Sequence, residues 1–376
     1  MRNRLVLMYI KHKLTPPLHY IVHLREEKLT NINSILELAC LIWQNISHGT
    51  KMVSLQKRIS TIKIIFRPPR IGVNNNFTNP KMNVSVIIVN YNTEELTLNC
   101  IKSIIDKTHK VSYEIIVVDN ASPTRPQRLS QQKNILYIQS ETNLGFGKAN
   151  NLGATRSSGE ILFFLNPDTL LINDAISILY EYLHNHPETG ICGGNLFSID
   201  MEPAHSFRKT SPSILSEIYD LLNRRNVLLK KIHDFNHSDS PLEVAYITGA
   251  DLCIRKSLFN NIGGFNHDFF MYFEESYLCY LVQKKGYKII CVPEAHIIHL
   301  EGKSFIFKER REKLYLKGRR LYLCKRYGLF YYYLCNIIYF ISCISRIFTF
   351  TLIQNKEKAK TWKSKLKILI DLDSNE

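Results

Sequence analysis

The chain contains no Cys-x-x-Cys pair. Its nine cysteines are scattered through 376 residues, which argues against a zinc or thioredoxin-type motif and for reduced thiols. No internal repeat is evident. No dinucleotide fingerprint follows the first apolar strand. Acidic residues are scarce in both flanks: residues 1–81 hold 13 Lys+Arg against 3 Glu, and residues 303–370 hold 17 against 3. The middle is different, with 19 basic and 24 acidic residues over 82–302, and the last six residues add three acids. The net charge of +16 therefore sits in the flanks, which suits an anionic partner, either nucleic acid or a membrane face. No secretory leader is expected at the start, because Lys11 and Lys13 cut short the apolar run behind the basic head of Met1–Ile10. Catalysis is expected in the cytosol.

Aromatics decide between the two anionic partners. Residues 328–353 are apolar and aromatic with basic residues on both sides, which favours membrane and argues against nucleic acid. The run is long enough for a span of roughly 20 residues. Asn336, Ser342, Ser345 and Arg346 interrupt it, so a helix lying in the membrane interface is expected ahead of a buried helix or a span. Deleting residues 328–353 is expected to move the protein from a membrane pellet to the soluble fraction.

Residues 1–80 form a basic extension with helical patches such as Ile32–Ile46, and Phe66–Lys81 reads as a linker with Arg-Pro-Pro-Arg and Asn74–Asn76. From Asn83 the pattern changes. Val84–Val89, Tyr113–Val118, Ile135–Ile138 and Ile161–Leu165 read as strands, the continuous apolar runs as strands covered on both faces. Helical spacing marks Glu94–Lys107, Gly147–Ser157 and Asp174–Asn185. Alternating strands and helices predict an α/β fold with a mostly parallel central sheet. Residues 206–240 carry few signals and read as a mobile acceptor-side segment. The domain boundaries expected are 1–80, 81–305 and 306–376, the last a basic helical region.

Three strands end in polar clusters: Asn90-Tyr91-Asn92, Asp119-Asn120, and Asn166-Pro167-Asp168. Ligands collect where the carboxyl ends of parallel strands meet. Asp119 can accept from a base N–H or a ribose hydroxyl, or it can cap a helix. Asn143-Leu-Gly145-Phe-Gly147 opens a helix and can bring backbone close to phosphate, or can be a tight turn. Asp168 is placed to hold a hard divalent cation against a diphosphate, with Asn166 beside it on a ribose or a metal-bound water. Glu274-Glu275, next to an aromatic run, suits a general base in a partly dry pocket, or a helix start. His296 and His299 lie three apart and would face opposite sides of a strand. Either could be a metal ligand or a structural hydrogen-bonder.

Taken in order over roughly residues 83–305, these motifs resemble family 2 glycosyltransferases of the GT-A fold, and within them rhamnosyltransferase-like enzymes of bacterial surface polysaccharide assembly. A weaker echo runs through Lys317–Gly328. The resemblance implies that Asn90, Tyr91 and Asn92 line the nucleotide pocket, that Asp119 contacts the base, and that Asn143, Gly145 and Asn150 shape the nucleotide-sugar loop. It implies that Asp168 binds Mg2+ or Mn2+, that Gly249, Ala250 and Asp251 edge the sugar site, and that His299 joins metal or diphosphate binding. In the family an Asp is the base where this chain has Glu275. Tyr277 and Leu281 replace an acid and an arginine, and Asn266 replaces an Asp.

The expected reaction is an inverting transfer. A saccharide hydroxyl, on an acceptor expected to be lipid-linked, attacks the sugar of a nucleotide-diphosphate donor while Glu275, beside Glu274, takes the proton. The donor sugar suggested by the resemblance is rhamnose. The expected place is the cytoplasmic side of the inner membrane, held peripherally against an anionic surface. Tyr277 and Leu281 also motivate a weakly active protein that binds nucleotide-sugar for assembly. A glycoside hydrolase would use two carboxylates without a metal, and a nucleotidyltransferase would want a glycine-lysine loop at the first strand.

Overall fold

The computed structural model describes residues 82–222, 234–300 and 308–374. The expected helical patch at Ile32–Ile46 and the linker at Phe66–Lys81 lie outside them. The first half runs β1 (Val84–Asn90), α1 (Glu94–Lys107), β2 (Tyr113–Asp119), α2 (Gln127–Ser130), β3 (Leu136–Gln139), α3 (Phe146–Arg156) and β4 (Ile161–Leu165). It continues through β5 (Thr169–Leu171), α4 (Ala175–Asn185), β6 (Thr189–Phe197), β7 (Phe207–Arg208) and α5 (Ile214–Leu222). The second half has β8 (Leu242–Glu243), β9 (Tyr246–Ile247), β10 (Asp251–Arg255), α6 (Lys256–Asn261), α7 (Glu274–Lys284) and β11 (Lys288–His299). Three helices close the chain: α8 (Lys308–Tyr327), α9 (Leu329–Leu352) and α10 (Lys356–Ser374).

Nine strands form one sheet in the order β3-β2-β1-β4-β10-β6-β11-β5, with β8 also on β11. The first four pair parallel. β10 is antiparallel to β4 and to β6, and β11 returns to parallel on β6. Most strands thus share one direction, as a mostly parallel sheet requires, while β10, β5 and β8 run against it. Alternating side chains build two cores. Val86, Ile88, Phe163 and Leu165 pack under α1 and α4 with Cys100, Ile104, Leu179 and Leu183. Ile87, Leu162 and Phe164 face the other way, against Ala149 of α3, Leu258 of α6 and Leu278 and Val282 of α7. Burial of each such side chain contributes about 1.5–3 kcal/mol, which is why the central strands read as unbroken apolar runs.

The segment 206–240 is described except at residues 223–233. It carries β7, paired with β9, and α5, whose inner Glu217 meets Arg319 of α8 at 2.7 Å. Few local signals marked α5 because its contacts are to distant partners. A third cluster joins the C-terminal helices to the body: Phe269 and Phe273 pack with Tyr322 and Leu323 of α8 and Tyr332 and Cys335 of α9. Deleting 328–353 would strip two buried residues from that cluster, so loss of pelleting in such a variant would not separate anchoring from unfolding.

Candidate active site

The carboxyl ends of β1, β2 and β4 lie side by side, with Asn90 opposite Asp119 and Ile88 opposite Leu165. Asp119 and Asp168 therefore share one edge of the sheet, as the strand order of the sequence demands. Their surroundings differ. Asp119 is fully buried and accepts four hydrogen bonds: from Asn90 Nδ2 at 2.6 Å, Ser122 Oγ at 2.6 Å, Ser122 N–H at 3.1 Å and Gln139 Nε2 at 2.8 Å. Asn90 in turn accepts from Thr93 and Thr97 of the α1 start, at 3.0 and 2.9 Å. Tyr91 and Asn92 are exposed on the loop beyond β1. Ser122, Gln139, Thr93 and Thr97 were not marked by sequence reasoning. Only the polar cluster at each strand end hinted that such partners exist.

The glycine-rich loop is built by hydrogen bonds among its own residues. Asn120 Nδ2 donates to Asn143 Oδ1 and to the Gly145 carbonyl, both at 3.1 Å, and Asn120 Oδ1 accepts from Leu144 N–H at 2.8 Å. Gly145 has φ +80°, and a β-carbon there would fall 2.1 Å from the Phe270 carbonyl oxygen, so the position demands glycine. That same carbonyl accepts from Phe146 N–H at 2.9 Å. Asn150 is buried inside α3 and bonds back to the Phe146 carbonyl at 3.1 Å. Its neighbour Asn151 reaches further, bracketing the backbone of Phe265 at 2.8 and 2.9 Å. The loop is thereby clamped to the segment that leads into Glu274.

Asp168 is brought to His299, the last residue of β11, with Oδ1 and Nε2 3.4 Å apart. The pairing of β11 with β5, His299 opposite Thr169, makes the meeting obligatory. His296 is not part of it: its ring packs edge-on to Phe197, 5.2 Å between centroids. A carboxylate oxygen and an imidazole nitrogen this close are ligands that Mn2+ accepts, and Mg2+ takes the oxygen. His299 Nδ1 is buried without a hydrogen-bond partner. Among the described residues no group of three His, Cys, Asp or Glu side chains gathers, so an ion here would complete its shell with diphosphate oxygens and water. Asn166 turns the chain toward this pair, its N–H donating to the Ala250 carbonyl at 2.9 Å.

Gly249, Ala250 and Asp251 lie at the same edge because β10 runs antiparallel and begins where β4 ends. A β-carbon on Gly249 would touch the Phe146 ring at 3.4 Å and Glu275 Cβ at 4.0 Å. Glu275 is half-buried at the start of α7, and Glu274 is buried beside it. Burial pushes the Glu275 carboxyl above the ordinary range. Burial first, and then the charge of Glu275, push Glu274 higher. Tyr272 and Phe273, just before the pair, adopt φ of 71° and 70°, conformations that cost about 1–3 kcal/mol each outside glycine. Asp251 is a different kind of acid: fully buried, accepting from Gly194 N–H at 2.6 Å, with its carboxyl held well above the usual range by desolvation. Tyr277 is part of an aromatic seam with Phe269, Tyr280 and Tyr322 of α8. Its departure from the acid expected there has a packing reason.

A sheet of this order, with acids and a histidine gathered along the carboxyl edge, has the arrangement of the GT-A fold. Residues 85–246 match the model for glycosyl transferase family 2. The chain is similar to the low-salt glycan biosynthesis hexosyltransferase Agl10 of Haloferax volcanii, 28% identical over 64% of this chain and 74% of that protein. Rhamnosyltransferase WbbL of Escherichia coli is 25% identical over 65% of this chain and 93% of its own. The N-acetylglucosaminyl-diphospho-decaprenol L-rhamnosyltransferase of Mycobacterium tuberculosis is 24% identical over 50% and 67%.

Proposed function

We propose that this glycosyltransferase moves a hexosyl or rhamnosyl unit, with inversion, from a nucleotide-diphosphate donor to a hydroxyl of a lipid-linked saccharide at the cytoplasmic face of the membrane. The observation that carries the reading is the meeting of two acid sets along one sheet edge: Asp168 3.4 Å from His299, and Glu275 at the start of α7 beside Gly249. The names of the rhamnosyltransferase relatives support the donor sugar, and the decaprenol-linked substrate named for one of them supports the acceptor.

Glu275 removes the proton from the acceptor hydroxyl as that oxygen bonds to the anomeric carbon. The bond from that carbon to the donor diphosphate breaks, and the nucleoside diphosphate leaves. Its half-buried setting raises the basicity of Glu275 toward what an alcohol requires. Asp168 and His299 would hold a divalent ion, which supplies Lewis-acid stabilisation of the leaving diphosphate. The Asn120–Asn143–Gly145 loop places the start of α3 toward the same charge. Asp119 receives the base or ribose when Gln139, exposed on the edge strand β3, gives up its bond.

The test is transfer from a panel of nucleotide-diphosphate sugars to a synthetic polyprenyl-diphosphate saccharide, with the product anomer read by NMR. Inversion, together with loss of transfer in chelator, is the expected result. Retention of configuration, or full transfer without metal, would overturn the reading.

A further inference from the structure

Helix α9 is long and apolar enough to cross a membrane by length and composition. Its sidedness says otherwise. The residues it turns inward are Asn336, Ser342, Cys335 and Cys343 with two rings, Tyr332 and Phe350, whereas Phe330, Ile337, Phe348 and Leu352 face outward, Phe330 at 78% exposure. A soluble core helix does the opposite. Two of the four polar interruptions of the sequence, Asn336 and Ser342, are on the inner side, where Asn336 Oδ1 accepts from Arg319 Nη1 at 2.7 Å, while Ser345 and Arg346 are half-buried. Helix α5 has the same inversion. Glu217 faces Arg319, and Leu215, Tyr219 and Leu222 are exposed. The two helices are tied together: Ile214 N–H donates to Tyr331 Oη at 2.9 Å, and Arg346 Nη2 donates to the Asp220 carbonyl at 2.6 Å.

We infer that α5 and α9 form one apolar platform that lies flat on an anionic bilayer, with α9 in the interface and not across it. This rests on the membrane-bound, lipid-linked acceptor of the proposed function and names the surface that meets the lipid. Three observations select this occupant. First, α8 and α10 pack on the inner side of α9. They carry nine basic and two acidic, and six basic and three acidic, side chains respectively. A spanning α9 would drag those charges into hydrocarbon, at about 2.5–3.5 kcal/mol for each near the centre. Second, residues 303–370 have an excess of 14 positive charges, whose summed field draws this end of the protein to an anionic surface. Third, the same charge opposes a second copy of the chain on this face. Phe269 and Phe273 share a cluster with α9 and α8, so a docked platform also holds the turn before Glu274 in a fixed relation to the lipid.

The experiment uses the full chain and sedimentation with phosphatidylcholine vesicles, with and without phosphatidylglycerol. Binding should require the anionic lipid. Leu215→Glu with Leu222→Glu on α5, and Phe348→Glu with Ile337→Glu on α9, should each lower the partition coefficient by about tenfold or more, with circular dichroism unchanged. Sodium carbonate should release the bound wild-type protein. Unchanged partitioning of the α5 pair, resistance to carbonate, or a dimer by light scattering that the α5 pair dissolves would each overturn the inference. Transfer to the polyprenyl-diphosphate saccharide dispersed in detergent, without vesicles, separates the two readings. Its absence in a wild type that still docks through these residues defeats the proposed reaction and leaves the platform standing.

Discussion

A β-carbon built on Gly318 of α8 falls 2.4 Å from the carbonyl oxygen of Tyr272. The C-terminal helix thus rests directly on the turn where Tyr272 and Phe273 take positive φ, immediately before Glu274-Glu275. Tyr315 and Tyr322 of the same helix press on the Phe273 ring at 5.1 and 5.7 Å. The helix is part of what holds the strained turn, and the turn aims the acidic pair.

Gly318→Ala should force α8 off the turn. Overpacking of this kind costs about 1–3 kcal/mol, and each kcal/mol lowers Tm by about 2–4 °C in a domain of some 150–250 residues. Transfer should fall while donor binding by thermal shift is kept, because the clash reaches the acidic pair and not the Asn90–Asp119 side. Lys317→Ala, one residue earlier and exposed, should change neither. Equal Tm and transfer in the two variants would mean the contact is slack.

Glu275→Gln should reduce transfer by about 100-fold to 10,000-fold, the usual range for a positioned base. Glu275→Asp should recover part of it, since the family base is the shorter acid. The base works ionised, and burial raises its carboxyl above the ordinary 4.5. Transfer should therefore be present above that raised value and lost as pH falls through it. The acid limb of the pH profile should sit above the usual glutamate range, and should move toward lower pH if the pocket is opened by Phe146→Ala. A limb at the ordinary carboxylate value would show Glu275 is solvated when it acts.

The Asp168–His299 pair predicts a binding result that needs no turnover. A nucleoside diphosphate should raise Tm only weakly alone and further with Mn2+, because ligands that prefer the native state stabilise it. Asp168→Asn should abolish the added shift and His299→Gln should reduce it. Chelator should reverse the shift in the wild type. An Mn2+ increment that survives Asp168→Asn would place the ion elsewhere.

The sequence made some of this legible and hid the rest for physical reasons. β1, β2 and β4 stand out because strands covered on both faces must be apolar throughout, and the parallel order of their ends follows from the alternation with helices. Asp168 and His299 could be named separately. Their contact depends on β11 returning antiparallel to a three-residue strand, which no local pattern encodes. The partners of Asp119 come from a loop serine and an edge-strand glutamine, residue types too common to mark. The interruptions in 328–353 were visible, but not that Asn336 turns to the inner face, because that depends on Arg319 of α8 reaching it. Helix α5 went unseen since its order is set by Glu217 and Tyr331 contacts across more than a hundred residues.

Asp251 offers the last prediction, and it concerns stability. Its side chain is inaccessible, Oδ2 accepts from Gly194 N–H at 2.6 Å, and Oδ1 has no partner. Burial holds the carboxyl neutral well above its ordinary value. The sign follows from proton linkage. Below about pH 3.9, the unfolded aspartate value, both states carry the proton and the group is neutral in each. As pH rises, the unfolded chain ionises while the folded one stays protonated, so stability drains by about 1.36 kcal/mol per pH unit until the folded value is reached. Asp251→Asn keeps the oxygen that meets Gly194 and has nothing to ionise. Urea midpoints between about pH 5 and pH 8 should show the variant gaining on the wild type as pH climbs, with the raised Glu274 present in both and cancelling. Parallel pH profiles for the two proteins would mean that Asp251 is ionised in the folded state and that its charge is balanced by a partner on the crevice side.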